Sequence, residues 1–495
     1  MPASVATLLF LALVGFLCVR DVRNSPGVSH ALWIPFCWLC MIGSRFPSEW
    51  LGGLKPDTAE GLLEGSPIDR NAFLALLVAG VVVLLLRKTS WRLFFQNNWW
   101  ITAFFAYTLV SIFWSDFPLT AFKRWHKVAG HVVMALVVMT EKDPVKALDS
   151  LFKRCGYLLI LVSILFIKWV PDFGRGYDRW TYKVINVGIT TNKNLLGNIC
   201  LIFGLFFVAS LLVRRRANTN HNRLDSALNI LLVLAVAWLL NLANSATSLV
   251  CLMLGVAVIV MTRVPTVSRR FSTIAIVLCV VLGALQISFN LKDTVIASLN
   301  RDTTLTGRTE LWGILQDMIA NPLFGVGFES FWLGPRVEKL WAIYWWKPNQ
   351  AHNGYFETYL NIGLIGLTLQ IGMMLSCYLK NRNKIAELVA AGREGSRELA
   401  LARFSLAFLI ALTAYNFTEA TFKAVHLSFF TFFLVLTQYP IQHMEAAEAV
   451  VESKDQPPSR PFGFRQALPA GPAPPALHTW NGQLGPRAET LTKRT

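Results

Sequence analysis

The sequence is short of charge. Asp, Glu, Lys and Arg make up 15% of its 495 residues, where a soluble domain carries about 25%. The blocks Ala72–Leu86, Trp99–Trp114, Leu195–Val213 and Thr273–Ile287 carry none at all. About 20 apolar residues cross a bilayer, and so many blocks cannot all be buried helices of one soluble core. A secretory signal is also missing, because no basic stretch precedes the first apolar run and no small-residue cleavage site follows it. Arg20 and Arg23 come after that run, which therefore reads as a first membrane span. None of the eight cysteines falls in a long polar loop, so no structural disulfide is expected. Cys37 and Cys40 have C-x-x-C spacing, but inside the apolar stretch Ala31–Gly43 they read as small core residues rather than a redox or zinc pair. There is no D-x-D, H-E-x-x-H, P-loop or G-x-S-x-G. Nothing thus supports a nucleotide-sugar enzyme with a carboxylate-held metal, or an ATP-driven pump. The net charge is +17, yet no basic stretch is interleaved with aromatics as a single-strand groove would be. The excess is that of cytoplasmic loops, and no nucleic-acid partner is expected.

What is present is a series of about thirteen apolar segments between residues 4 and 439, several of them short. They include 128–140, 157–170, 271–288 and 355–379. The expected fold is all-α, a polytopic transmembrane helical bundle of about 11–13 spans. Loop charge sets its orientation. The loops 20–30, 87–97, 141–156, 214–226, 262–270 and 380–403 carry 22 Lys and Arg against 8 Asp and Glu. The opposite loops, 44–71, 115–127, 171–194, 243–245, 289–354 and 419–423, carry 17 against 15. The first set is expected in the cytoplasm, which puts the N-terminus outside and the C-terminus inside. Residues 1–441 form the membrane domain. Residues 442–495, rich in Pro and Ala, read as a disordered cytoplasmic tail.

Two external loops stand out, 171–194 and 289–354. Connections as long as the second are usually functional or disordered, and disordered linkers are poor in aromatics. This one holds Trp312, Phe331, Trp332, Trp341, Tyr344, Trp345 and Trp346, so it is expected to fold, in part as helix. Leu311, Ile314, Leu315 and Met318 fall on one helical face. Gly307 before Arg308 suits a helix start that leaves Arg308 at an anion-favouring end, although an interfacial arginine would look the same. The chain has eight histidines, and His352 is the one within the long loop. It suits a general base near neutral pH, with Asn353 or Glu357 to orient it. Glu357 lies near the outer end of a span, where charge is costly and often functional. A histidine bonded to interfacial backbone is the plainer reading. His126, His131 and His426 are weaker candidates. In the first loop Arg175, Arg179 and Lys193 are candidates for phosphate or sugar contacts, against the plainer reading of Lys193 as a snorkelling side chain.

Taken together, these residues resemble the O-antigen ligase and polysaccharide polymerase superfamily of bacterial envelopes. The likeness rests on G-R-x-x-x-W at Gly307, Arg308 and Trp312, and on N-P-x-x-G-x-G-F from Asn321 to Phe328. It also rests on A-H-N-x-Y at Ala351, His352, Asn353 and Tyr355, followed by Gly363 and Gly366. It covers roughly residues 95–440. The segment Gly188–Gly197, G-I-T-T-N-K-N-L-L-G, is similar to the exopolysaccharide polymerase branch. The resemblance implies a GT-C-like glycosyltransferase of the inner membrane, inverting and metal-independent, with no cofactor. Its donor would be an oligosaccharide on undecaprenyl pyrophosphate and its site would face the periplasm. Export or chain-length proteins would be possible partners beside the glycan acceptor and membrane lipids. Arg308 and His352 match the family's functional pattern directly. The family's first-loop arginine position is occupied here by Ile185 and Asn186, so Arg175 takes that role, with Arg179 behind it.

On this reading Arg308 and Arg175, assisted by Lys193, stabilise the departing pyrophosphate, and His352 accepts the acceptor hydroxyl proton. Trp332, Trp345 and Trp346 stack on sugars or line the lipid boundary. Polymerisation is the favoured outcome, and transfer to lipid A core the alternative. A glycan-lipid transporter would need polar groups at mid-membrane, often in broken helices. A non-catalytic assembly subunit would need neither Arg308 nor His352.

Overall fold

The computed structural model describes residues 1–53, 58–213, 220–264, 266–267, 270, 308–319 and 321–439. The predicted span 271–288, the start of the long loop at 289–307 and the predicted tail 442–495 lie outside the described residues. The chain is mostly helical with almost no sheet, a polytopic helical membrane protein. Among the described residues, seven helices are long and apolar enough to cross a membrane, and four shorter apolar ones accompany them. The helices used below are α1 (Ala3–Asn24), α2 (Pro118–Met139), α3 (Pro144–Trp169), α4 (Lys193–Leu211), α5 (Arg308–Asp317), α6 (Gly354–Ala390), α7 (Arg397–Tyr415) and α8 (Leu427–Leu436).

Several helices run well beyond their predicted apolar spans, α2, α3 and α6 among them. The 128–140 segment is the second half of α2, and 157–170 is the second half of α3. The added turns carry polar residues, among them Arg154 on α3 and Arg124 on α2, that bond to distant parts of the chain. On α3, the Arg154 Nε donates to Asp21 Oδ2 of α1 at 2.8 Å, with both side chains buried. Such a pair is tolerated only because each charge has its partner. In α2, Gly130 lets the Trp38 ring lie against the backbone, and the Trp38 Nε1 donates to His131 Nδ1 at 2.9 Å. Cys37 faces outward rather than into the core, while Cys40 Sγ lies 3.8 Å from Cys155 Sγ.

Contacts between loops sort them into two ends of the bundle. At one end Arg20 pairs with Asp225, Glu141 accepts from Ser29 and Arg87, and Arg403 donates to Thr262 O. At the other, Arg45 donates to Phe173 O and Thr190 O, Arg124 to Glu329 O, Arg179 to Trp346 O and Lys423 to Asn349 O. These two groups are the same sets that the charge count separates.

The long loop, from 308 onward, has its own small core of Leu311, Leu315, Val326, Phe331, Trp332, Leu340, Ala351 and Leu360. Its anchor in the bundle is a break in α6. Ile362 and Gly363 leave the helical region, with Gly363 at φ 65° and ψ −167°. A break exposes backbone groups that lipid cannot satisfy. The Asn321–Phe328 segment fills this one. Leu364 N donates to Pro322 O at 2.9 Å, Ile365 N to Leu323 O at 3.3 Å, and Gly327 N to Asn361 O at 2.8 Å. The N-P-x-x-G-x-G-F motif is thus the complement of the Gly363 break. The broken helix is closed by the protein's own backbone, so these groups are not left free for a transported solute.

Candidate active site

The A-H-N motif is held from both sides. Ala351 is fully buried; its N–H donates to Glu357 Oε2 at 2.8 Å, and its carbonyl accepts from Trp312 Nε1 at 2.7 Å. Asn353 caps α6, its Oδ1 accepting from Tyr355 N and Phe356 N at 3.0 Å. Between them His352 sits at φ 52°, a left-handed conformation. Outside glycine such a conformation costs on the order of 1 kcal/mol or more, and it persists where neighbours over-determine it. Here they do. Gly354 N also donates to Asn416 O at 2.8 Å, and a Cβ at Gly354 would stand 2.0 Å from Asn416 Oδ1. The turn after α7 is therefore pressed against the histidine.

That turn brings Glu419. Its Oε2 lies 3.7 Å from His352 Nδ1, and its Oε1 lies 3.7 Å from Arg308 Nη2 and accepts from Asn194 Nδ2 at 3.0 Å. Arg308 also donates to Thr418 O. One carboxylate thus faces both the arginine and the histidine, and all three side chains keep some exposure. The G-R-x-x-x-W spacing now has a reason. Arg308 and Trp312 are four residues apart on one face of α5, so Arg308 meets Glu419 while Trp312 holds the backbone before His352.

The other predicted residues do different work. Glu357 is buried and does not meet the His352 ring. It accepts from Ala351 N and from Trp332 Nε1 at 2.6 Å, with Lys423 Nζ at 3.7 Å. It fixes the backbone of the loop, and the carboxylate at the ring is Glu419. Trp332 is buried in this contact, not open for stacking on sugar. Asn353 donates to Phe417 O at 3.4 Å besides capping α6. Arg175 donates from Nε and Nη2 to Ile167 O, closing the end of α3. Arg179 donates to Trp346 O. Lys193 pairs with Asp178 at 3.2 Å, one residue before Asn194 reaches Glu419. These three tie the first loop to α3, to the long loop and to α4 respectively. Of the weaker histidines, His131 accepts from Trp38 and His426 caps α8 through Ser428 N, while His126 is half-buried on α2.

Residues 230–371 match a family model described as O-antigen ligase. Over 292 residues the chain is 28% identical to the exopolysaccharide production protein ExoQ of Rhizobium meliloti (strain 1021), covering 56% of this chain. Over these stretches the chain is similar to an O-antigen ligase family and to a protein of exopolysaccharide production. The match spans 64% of that relative's length, just under two thirds. Within the stretch matched to the ligase family lie Arg308, Trp312, Ala351, His352, Glu357 and Gly363. Glu419 and Asn194 lie outside it; Asn194 belongs to the polar cluster already marked beside Lys193, whereas Glu419 was missed in the sequence. The signal for Glu419 was available: an acidic residue in a five-residue loop at the outer end of an apolar run is placed like Glu357. Arg45, which fixes Thr190 and Phe173, was missed for the same reason.

Glu357→Leu is expected to leave the buried Ala351 and Trp332 N–H groups unpaired. Each costs about 1–3 kcal/mol. The thermal midpoint of the purified protein should fall. An unchanged midpoint would remove Glu357 from this supporting role.

Proposed function

We propose that the protein is a membrane glycosyltransferase that joins undecaprenyl-pyrophosphate-linked oligosaccharide units at the periplasmic face of the inner membrane. It extends an exopolysaccharide or O-antigen chain. The observation that carries this reading is the meeting of Arg308 and His352 on the Glu419 carboxylate. The acceptor hydroxyl attacks the anomeric carbon of the donor as the bond to pyrophosphate breaks, and the electron pair leaves with the phosphate oxygen. That geometry inverts the anomeric centre. Arg308 stabilises the charge growing on the leaving group, with no metal required; fixed donors of this type are often the largest catalytic effect. His352 takes the hydroxyl proton on Nε2, and Glu419 facing Nδ1 holds the ring and stabilises the imidazolium. The Gln350 Nε2 lies 3.4 Å from Nδ1; this tautomer requires the amide to be turned so that its oxygen faces the Nδ1–H. Arg175, Arg179 and Lys193 shape the first loop beside this centre. The charge asymmetry of the loops supports placing the site outside and the C-terminus inside.

A ligase reading is favoured by the description of the matching family model, and an exopolysaccharide product by the relative's name, exopolysaccharide production protein. The lipid-linked glycans of a null strain separate them. A polymerase null accumulates single lipid-linked repeats. A ligase null accumulates long chains that stay on the carrier.

A further inference from the structure

The first loop folds into a hairpin too short to be read from sequence. Arg175–Tyr177 pairs antiparallel with Val184–Asn186. Its turn is rigid: Asp178 Oδ1 accepts from Trp180 N, Thr181 N and Thr181 Oγ1, and Asp178 N donates to Lys183 O at 2.9 Å. Burial alone would raise the Asp178 carboxyl, but these N–H groups and Lys193 hold it below its usual value. The turn presents Trp180 to the long loop. Its ring lies 5.0 Å from Trp345 at 76° and 6.2 Å from Trp346. Although packed together, Trp180 is 56% exposed and Trp345 64% exposed, and Tyr177 and Tyr182 beside them are more open still.

We propose that this ring cluster is a glycan subsite that holds sugar units of the growing chain away from the bond-forming centre. The inference rests on the transferase reading above. Large exposed aromatic patches mark interaction sites, and Trp and Tyr offer rigid, amphipathic contact faces at low entropic cost. Three observations choose a glycan as the occupant. The rings alternate with Asp178, Arg179 and Lys183, which supply hydrogen-bonding groups that hydroxyls need. Their positions are fixed by the Asp178 turn and by Arg179 on Trp346 O, a preorganisation that a bilayer anchor does not require. The cluster is also continuous with the active site. Lys193 grips the hairpin while its neighbour Asn194 grips Glu419. Along the long loop, Trp346 is six residues from His352, a reach of at most about 20 Å. A subsite at that distance retains the product between additions, so it sets how long the chain grows.

The test uses a null strain complemented with Trp180→Ala/Trp345→Ala, with Trp180→Tyr/Trp345→Tyr, and with His352→Ala, at matched protein levels. Polymer length is read by gel filtration. Oligosaccharides cut from the wild-type polymer are titrated calorimetrically into the purified full chain in detergent. The alanine pair is expected to shorten the polymer several-fold and to weaken oligosaccharide binding by about tenfold or more, as loss of aromatic anchors does. The tyrosine pair, which keeps ring faces and tests against simple misfolding, should restore most of both. Wild-type lengths from the alanine pair would overturn the subsite. So would shortened polymer with unchanged oligosaccharide affinity in detergent, which would assign the rings to the bilayer. Polymer from His352→Ala would instead overturn the transferase reading.

Discussion

His352→Ala is expected to lower the rate of glycosidic coupling by about 10²–10⁴-fold, the range for a lost general base. The measurement is coupling of purified lipid-linked repeats by the full chain in detergent. His352 sits where its neighbours fix it, in a left-handed conformation between a clamped Ala351 and a capping Asn353. Alanine meets a similar left-handed cost to histidine at this backbone, so the fold should persist and the chemistry should not. Arg308→Ala removes charge stabilisation instead, and a loss of about 10²–10³-fold is expected from comparable deletions. Glu419→Gln keeps the Asn194 and Arg308 contacts in outline but removes the charge at the imidazole, so its effect should be smaller. Full activity in His352→Ala would remove the base from this site.

The second large effect is on stability. Gly363→Ala is expected to destabilise by at least about 3 kcal/mol, because φ 65° with ψ −167° lies in a region open almost to glycine alone. The new Cβ would also stand 2.2 Å from Leu323 O, a backbone atom that cannot yield without unseating the segment that closes the α6 break. Gly392→Ala is the control. Gly392 has φ 66°, but open space surrounds it, so the cost should be about 1 kcal/mol. Thermal midpoints of the two purified variants decide the matter, and equal shifts would mean the interlock carries no special weight.

Both predictions turn on features of different legibility. The membrane bundle was legible because hydropathy is a sum over many residues, and lipid tolerates few exceptions. Where α2 and α3 outrun their predicted spans, the extra turns carry Arg154 and other polar groups whose partners are distant in sequence. No local pattern announces such pairing. Arg308 and His352 were legible as motifs, and the reason for the motif spacing became visible once Trp312 was seen on Ala351 O. The role given to Glu357 shifted, from orienting the ring to fixing the backbone. Gly363 was marked in the sequence as part of the motif pattern, but a helix break at that glycine was not, since the surrounding stretch is an unbroken apolar run. The hairpin has strands of three residues, shorter than any period can be read, and Glu419 gains meaning from three residues on other elements.

The most direct test of the account is the glycan made by a null strain carrying wild type, His352→Ala or Arg308→Ala, with membrane levels matched by blot. The expected result is long polymer from wild type and single lipid-linked repeats from both variants. Wild-type polymer from both variants would contradict the assignment of chemistry to the Arg308–Glu419–His352 cluster.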